Sequence, residues 1–353
     1  MLSKLRLSPL VYLSVSSIAP RVAAFSKTTS SFSSKATGGV LGKTLVSVRD
    51  AIGLHGEGDD GKNVRFIDGT WWLDKSRNGR QEFENGPRIS RARYLDIDDV
   101  STTTPDNLPH MMPSFSLQGA AMDAMGISKS DHVIVYGREN CMFVSRAYMQ
   151  MRIMGHPQEL CHLMDGSLQE WIDAGGPIED VGTHPNHPVI DATNLNNNDE
   201  TTYEATGPNN VISMEELGAS IAEGKTQGQN PSVLVVDSRN SGRFTGVAPE
   251  PRPGLRSGHM PGAKNLPIVD LLDPDEKVKF KSKEDLQKII QEAGISLPLD
   301  SNTKIVSSCG SGVTACALMT AFDILGEDSS EVYLYDGAWT EWGAQPDTPI
   351  VTD

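Results

Sequence analysis

Short runs of apolar, mostly β-branched residues alternate along this chain with stretches whose apolar positions recur every three or four residues. The first pattern predicts buried strands and the second helices. Asn63–Asp68 and Asp131–Tyr136 are predicted strands in the first half, and Ser232–Asp237 and Lys304–Ser308 are their counterparts in the second. Cys161-His-Leu-Met-Asp-Gly166 recurs as Val332-Tyr-Leu-Tyr-Asp-Gly337, and Gln169-Glu-Trp171 as Thr340-Glu-Trp342, all at an offset of about 170 residues. That offset is the size of a domain, so the pattern describes a duplicated domain. Helical spacing predicts helices over Leu45–Leu54, Val313–Leu325 and Ser282–Gly294, the last with a capping serine and a terminal glycine. Strands alternating with helices in each copy predict an α/β fold of two tandem domains, each a parallel sheet with helices on both faces.

The first 49 residues break the pattern. They contain no acidic residue, and Lys4, Arg6, Arg21, Lys27, Lys35, Lys43 and Arg49 are scattered among serines and threonines, the composition of an organellar presequence. We read residues 1–38 as a targeting segment, mitochondrial by composition, with a plastid as the alternative because of Val22-Ala-Ala-Phe25. The expected domains are 39–181 and 211–353. They are joined by a linker at 182–210 rich in Asn, Pro, Thr and His, and a capping box at Ser213–Glu216 opens the second. A net charge of −15 argues against nucleic acid or an anionic membrane surface as partner. The apolar run Leu7–Ala19 is too short to span a bilayer. Four cysteines without a Cys-x-x-Cys pair exclude a thiolate zinc site, and no cofactor is implied.

The chemistry concentrates in Lys304-Ile-Val-Ser-Ser-Cys309-Gly-Ser-Gly-Val-Thr-Ala315. A strand leads into Cys309, Gly310 and Gly312 allow a tight turn, and a helix follows, so backbone N–H groups and the helix dipole would favour a Cys309 thiolate. The bland alternative is a packed core thiol, which is how Cys161 and Cys316 read. A phosphatase loop would need an arginine closing Cys-x5-Arg, where Ala315 stands instead.

This loop, with Asp237–Gly246, Pro249-Glu-Pro-Arg252, Ser257–Ala263 and Tyr335-Asp-Gly-Ala-Trp339, resembles the two-domain rhodanese family and, within it, the 3-mercaptopyruvate sulfurtransferases. The resemblance implies two rhodanese-like domains of which only the second is catalytic. The first domain's counterpart loop, Gly137–Ser145, lacks the Gly-x-Gly turn and a cysteine at the strand end, and its Cys141 reads as an inert thiol. The resemblance further implies that Cys309 carries a persulfide and that Gly310, Gly312, Val313 and Thr314 line the substrate site. Arg243 and Arg252 would grip the donor's carboxylate, a task suited to a planar guanidinium. Asp98, His110 and Ser311 would meet across the domain interface as an acid, imidazole and hydroxyl series. Arg239 and Arg256 are weaker candidates, and His259 reads as structural. The implied reaction moves sulfane sulfur from 3-mercaptopyruvate to a thiol such as thioredoxin or glutathione, or to cyanide. The alternatives are a thiosulfate:cyanide sulfurtransferase and a non-catalytic scaffold or thiol sensor.

Overall fold

A computed structural model describes residues 41–56, 64–104, 106–179, 201–207 and 209–353; the expected presequence and residues 182–200 of the expected linker lie outside the described residues. The first half contains β1 (Leu45–Ser47), α1 (Val48–Gly56), β2 (Val64–Asp68), α2 (Gly79–Asn85), β3 (Arg88–Ile89), β4 (Arg93–Tyr94), α3 (Phe115–Met125), β5 (His132–Gly137), α4 (Ser145–Ile153), β6 (Cys161–Ser167), α5 (Leu168–Asp173) and β7 (Ile178–Glu179). The second contains β8 (Val211–Ile212), α6 (Met214–Ala222), β9 (Val233–Asp237), α7 (Ser241–Phe244), β10 (Lys264–Asn265), α8 (Ile268–Leu271), α9 (Lys283–Glu292), β11 (Lys304–Ser308), α10 (Ala315–Leu325), β12 (Val332–Tyr335) and α11 (Ala338–Trp342).

Each half builds a five-stranded parallel sheet, ordered β1-β6-β5-β2-β4 in the first and β8-β12-β11-β9-β10 in the second, so equivalent strands hold equivalent places. Alternation along the strands divides each sheet's side chains between two faces. Val133 and Val135 of β5, with Leu234 and Val236 of β9, enter one apolar cluster shared by both halves. Ile134 and Tyr136, and likewise Val233 and Val235, enter separate outer clusters. The halves meet through α4 and α10, which pack on each other. An ion pair from Arg152 of α4 to Asp323 of α10, joined by the Tyr148 hydroxyl, closes the far end of that contact.

The helix expected over Leu45–Leu54 is instead a three-residue edge strand followed by a helix: Val46 is buried, and Leu45, Val46 and Ser47 pair with Leu163, Met164 and Asp165. The helix expected from Val313 starts at Ala315, because Val313 and Thr314 belong to the turn. The end of the expected linker is fastened to the first domain. Tyr203 is buried and stacks on His156, and Thr206 and Asn209 donate to the carbonyls of Met154 and Ile153. The capping box at Ser213 and Glu216 forms as expected.

The halves also exchange cover. An isolated bridge between Thr102 and Met111 in the first half has its equivalent between Leu272 and Phe280 in the second. The segment at 272–280 reaches the loop after β5: Asn140 N donates to Glu276 Oε1 at 2.7 Å, and Val278 packs beside Gly137. The segment at 98–112 reaches the turn after β12, where Met112 N donates to Asp336 Oδ2 at 2.5 Å.

Candidate active site

β11 delivers Cys309 to its carboxyl end, where open α/β sheets bind their ligands. The residue is 1 % exposed, which keeps bulk water from the sulfur. The turn is tied from behind: Trp339 N donates to Cys309 O at 3.0 Å, while Thr340 N and Oγ1 donate to Gly310 O at 2.9 and 2.5 Å. Gly312 has φ +75°, and a Cβ there would stand 2.6 Å from Asp336 O, so the turn admits no other residue without distortion. Among the described residues, no acceptor takes the backbone N–H of Gly310, Ser311, Gly312, Val313 or Thr314. Thr314, at the N-cap of α10, makes no side-chain cap. Consecutive unclaimed N–H groups at the start of a helix form a cradle for negative charge beside the thiol.

The arginines divide their work in a way sequence does not show. Arg239 is buried, bonding Asp237, Glu250 and Gly258 O, and so braces the strand end as a structural residue. Arg243 turns its guanidinium toward Gly310, where an added Cβ would lie 3.0 Å from Nη2. Its fork is already engaged, with Nε and Nη2 donating to the two oxygens of buried Glu250 at 3.2 and 2.5 Å. The expectation that Arg243 grips a substrate carboxylate with two parallel bonds therefore meets a competitor. Only Nη1 lacks an acceptor among the described residues. Arg252 bonds Thr340 Oγ1 at 3.3 Å and has no carboxylate in salt-bridge contact among the described residues. Burial first, then neighbouring Arg243, pushes its pKa down, and the Cys309 sulfur acts against that fall. Arg256 binds the carbonyls of Gly343, Pro346 and Thr348, a structural clamp on the C-terminal loop. His259 Nδ1 donates to Phe244 O and the imidazole stacks on the Phe244 ring, as a structural residue would.

Asp98 and His110 are brought together by the 98–112 segment. His110, in the left-handed region at φ +60°, places Nδ1 2.8 Å from Asp98 Oδ1, in contact but not aimed along a hydrogen bond. Trp71 Nε1 donates to Asp98 Oδ2 at 3.0 Å, and the indole meets the imidazole edge-on. Burial pushes the Asp98 pKa up, but His110, Trp71 and Lys75 together bring it below the ordinary carboxylate value. Trp71 and Ile97 pack against Val313, so the first domain touches the cysteine loop at that side chain. No hydrogen bond links half-buried Ser311 to His110, so the third member of the expected series stands apart in this structure.

The residues sequence reasoning missed are those that join elements: Trp71, Arg146, Glu250, Asp336 and Thr340. Glu250 and Asp336 lie inside motifs already quoted, which was their signal. Arg146, on α4 and outside every motif quoted, had none.

In the first domain Gly137 takes the place of Cys309, and Arg138 takes that of Gly310. Arg138 folds inward to the carbonyls of Glu82 and Pro87. The turn itself is not lost, contrary to expectation: Asn140 adopts φ +60° where the second copy has Gly312, a conformation asparagine tolerates. Cys141 is fully buried against Trp71 O, and burial pushes its thiol up to about 11. Burial also raises Cys161 and Cys316 to about 12. Cys141→Ser is therefore expected to keep turnover within about twofold of wild type, checked by steady-state assay; a large loss would bring the first-domain loop into the chemistry.

A tandem α/β protein with a thiol on a strand-to-helix turn, unclaimed N–H groups and arginines beside it has the arrangement of an enzyme that uses a cysteine nucleophile. The rhodanese-like domain model matches residues 213–345. The mitochondrial thiosulfate/3-mercaptopyruvate sulfurtransferase 1 of Arabidopsis thaliana is 32 % identical over 82 % of this chain and 74 % of its own length. The thiosulfate sulfurtransferase of Rattus norvegicus is 30 % identical over 88 % of this chain and 96 % of its own. The crystal structure of SseA from Escherichia coli, described with the rhodanese fold of 3-mercaptopyruvate sulfotransferases, superposes with a TM-score of 0.64 at 29 % identity, over 84 % of this chain and 99 % of that one. The chain belongs to the rhodanese family of sulfurtransferases, homologous to the 3-mercaptopyruvate and thiosulfate enzymes over most of its length.

Proposed function

We propose that this sulfurtransferase draws its sulfur from 3-mercaptopyruvate. The observation that carries the reading is the charge beside Cys309. Asp237 and Glu250 answer Arg239 and Arg243, leaving Arg252 as the guanidinium of the three with no carboxylate in salt-bridge contact among the described residues. The loop itself, Gly310 to Thr314, supplies no basic side chain. One unmatched cation suits the single carboxylate of 3-mercaptopyruvate better than the dianion thiosulfate. In the proposed reaction the Cys309 thiolate attacks the donor sulfur. The carbon–sulfur bond breaks with its electron pair on carbon, the resulting pyruvate enolate takes a proton, and Cys309 keeps the transferred sulfur as a persulfide. A thiolate such as that of glutathione or thioredoxin, or cyanide, then attacks the outer sulfur and regenerates the Cys309 thiolate.

In this reading the loop amides stabilise the persulfide's charge, and His110, oriented by Asp98, delivers the proton. His110→Ala should lower kcat by roughly 10²-fold, the scale of general acid–base assistance. A double variant with Ser311→Ala should be scarcely worse than His110→Ala alone if the two act as a unit. Additive losses would separate them, and unchanged turnover would leave His110 an interface residue. The donor itself is tested by comparing kcat/KM for 3-mercaptopyruvate and thiosulfate; a higher value for thiosulfate would overturn the donor assignment.

A further inference from the structure

One charged side chain of the first domain enters the cysteine loop. Arg146, in the first turn of α4, is 1 % exposed. Nη1 donates to Asp336 Oδ1 at 2.7 Å and to Gly312 O at 3.3 Å, and Nη2 donates to the carbonyl of His110. Asp336 uses its other oxygen to accept from Met112 N at 2.5 Å. A single planar cation thus touches the loop that carries Cys309, the turn after β12, and the backbone on which His110 is mounted. Burial alone would lower the pKa of this guanidinium, and Asp336 more than restores it.

The contact with Gly312 has a geometric consequence. In a trans peptide the carbonyl and the following N–H point in opposite directions. Holding Gly312 O toward Arg146, with Cys316 Sγ also directed at it from 3.4 Å, turns the Val313 N–H away from Arg146. That N–H is among those with no acceptor in the described residues, and so belongs to the cradle beside the thiol. The contact with His110 O acts on a residue already held at φ +60°, a conformation that needs external support in a residue with a Cβ.

We infer that Arg146, anchored by Asp336, is a positioning residue for sulfur transfer: it sets the Gly312–Val313 peptide and the His110 backbone at a fixed distance from each other across the domain interface. The inference rests on the sulfurtransferase reading of the Cys309 loop but not on the choice of donor. Arg152 is its internal control. It lies on the same helix and also crosses the interface, to Asp323, but bonds nothing in the loop.

The test uses the full chain and compares Arg146→Lys with Arg152→Lys. Lysine keeps the charge facing Asp336 yet lacks the fork that spans three acceptors. Arg146→Lys is expected to lower kcat about 10- to 100-fold with KM for the donor within about twofold, since Arg243 and Arg252 are untouched. Amide hydrogen exchange should rise in peptides covering 309–314 and 108–113. Arg152→Lys should lower the melting temperature and leave kcat of the folded protein and exchange in those peptides unchanged. If Arg146→Lys does not fold, Asp336→Asn provides the same two readouts, because the amide oxygen keeps an acceptor while the anchor's charge is lost. Unchanged kcat and loop exchange in whichever variant folds would overturn the inference and make Arg146 a structural interface residue. A kcat loss equalled by Arg152→Lys would overturn it too. Wild-type chain that transfers sulfur from neither donor would instead overturn the sulfurtransferase reading, so the two failures are distinguishable.

Discussion

Cys309→Ser is expected to give a folded protein that transfers no sulfur from any donor. The serine oxygen cannot accept a sulfur atom to form a persulfide, and the N–H cradle has nothing to act on without it. Serine nearly matches cysteine in shape, so the stability cost should be about 1 kcal/mol, a shift of a few degrees in melting temperature. Two measurements check this. Pyruvate release from 3-mercaptopyruvate should fall to the rate without enzyme. Intact mass after donor treatment should show one added sulfur on the wild type and none on the variant. Turnover of Cys309→Ser clearly above background would remove Cys309 from the chemistry.

The second large effect falls on the arginines, and it is unequal. Arg252→Ala should lower kcat/KM for 3-mercaptopyruvate by about 2 kcal/mol or more, roughly 30-fold, because it removes the guanidinium that has no carboxylate in salt-bridge contact among the described residues. Arg243→Ala should cost less at the chemical step, since its fork is engaged by Glu250. Its loss also leaves Glu250 with Arg239 as its remaining cationic partner, so part of the cost should surface as lower thermal stability. Equal losses of kcat/KM, with no difference in melting temperature, would contradict the charge division. A loss larger for Arg243→Ala than for Arg252→Ala would reverse it.

Strands such as Val233–Asp237 were legible because a strand buried on both faces is apolar along nearly its whole length, and helices such as Lys283–Glu292 because one face must be. Cys309 was legible because the tight turn demands glycine on either side of Ser311. β1 was not: three residues are too few to display a period, and their helical neighbours extended the pattern over them. Arg146 could not be read at all. Its acceptors lie at 110, 312 and 336, and nothing local on α4 distinguishes a buried arginine from a solvated one. Glu250 stood in plain view beside Arg252, but only the fold brings Arg243 and Arg239 to its two oxygens. The pairing of Asp98 with His110 came from family resemblance rather than from any spacing.

The exchange of cover between the halves, segment 98–112 over one loop and segment 272–280 over the other, is the geometry of a two-fold dimer whose subunits have been joined end to end. In a dimer of identical chains every substitution strikes both sites at once, so neither can be given up. A single polypeptide escapes that bond. Arg138 stands where the other copy has Gly310, and Asn140 keeps the turn as a platform for Glu276. Arg146, unmatched by any cation at the corresponding position Leu318, is free to serve the other. In a single chain, side chains of the first domain, Trp71 and Arg146 among them, can be fitted to the Cys309 loop alone.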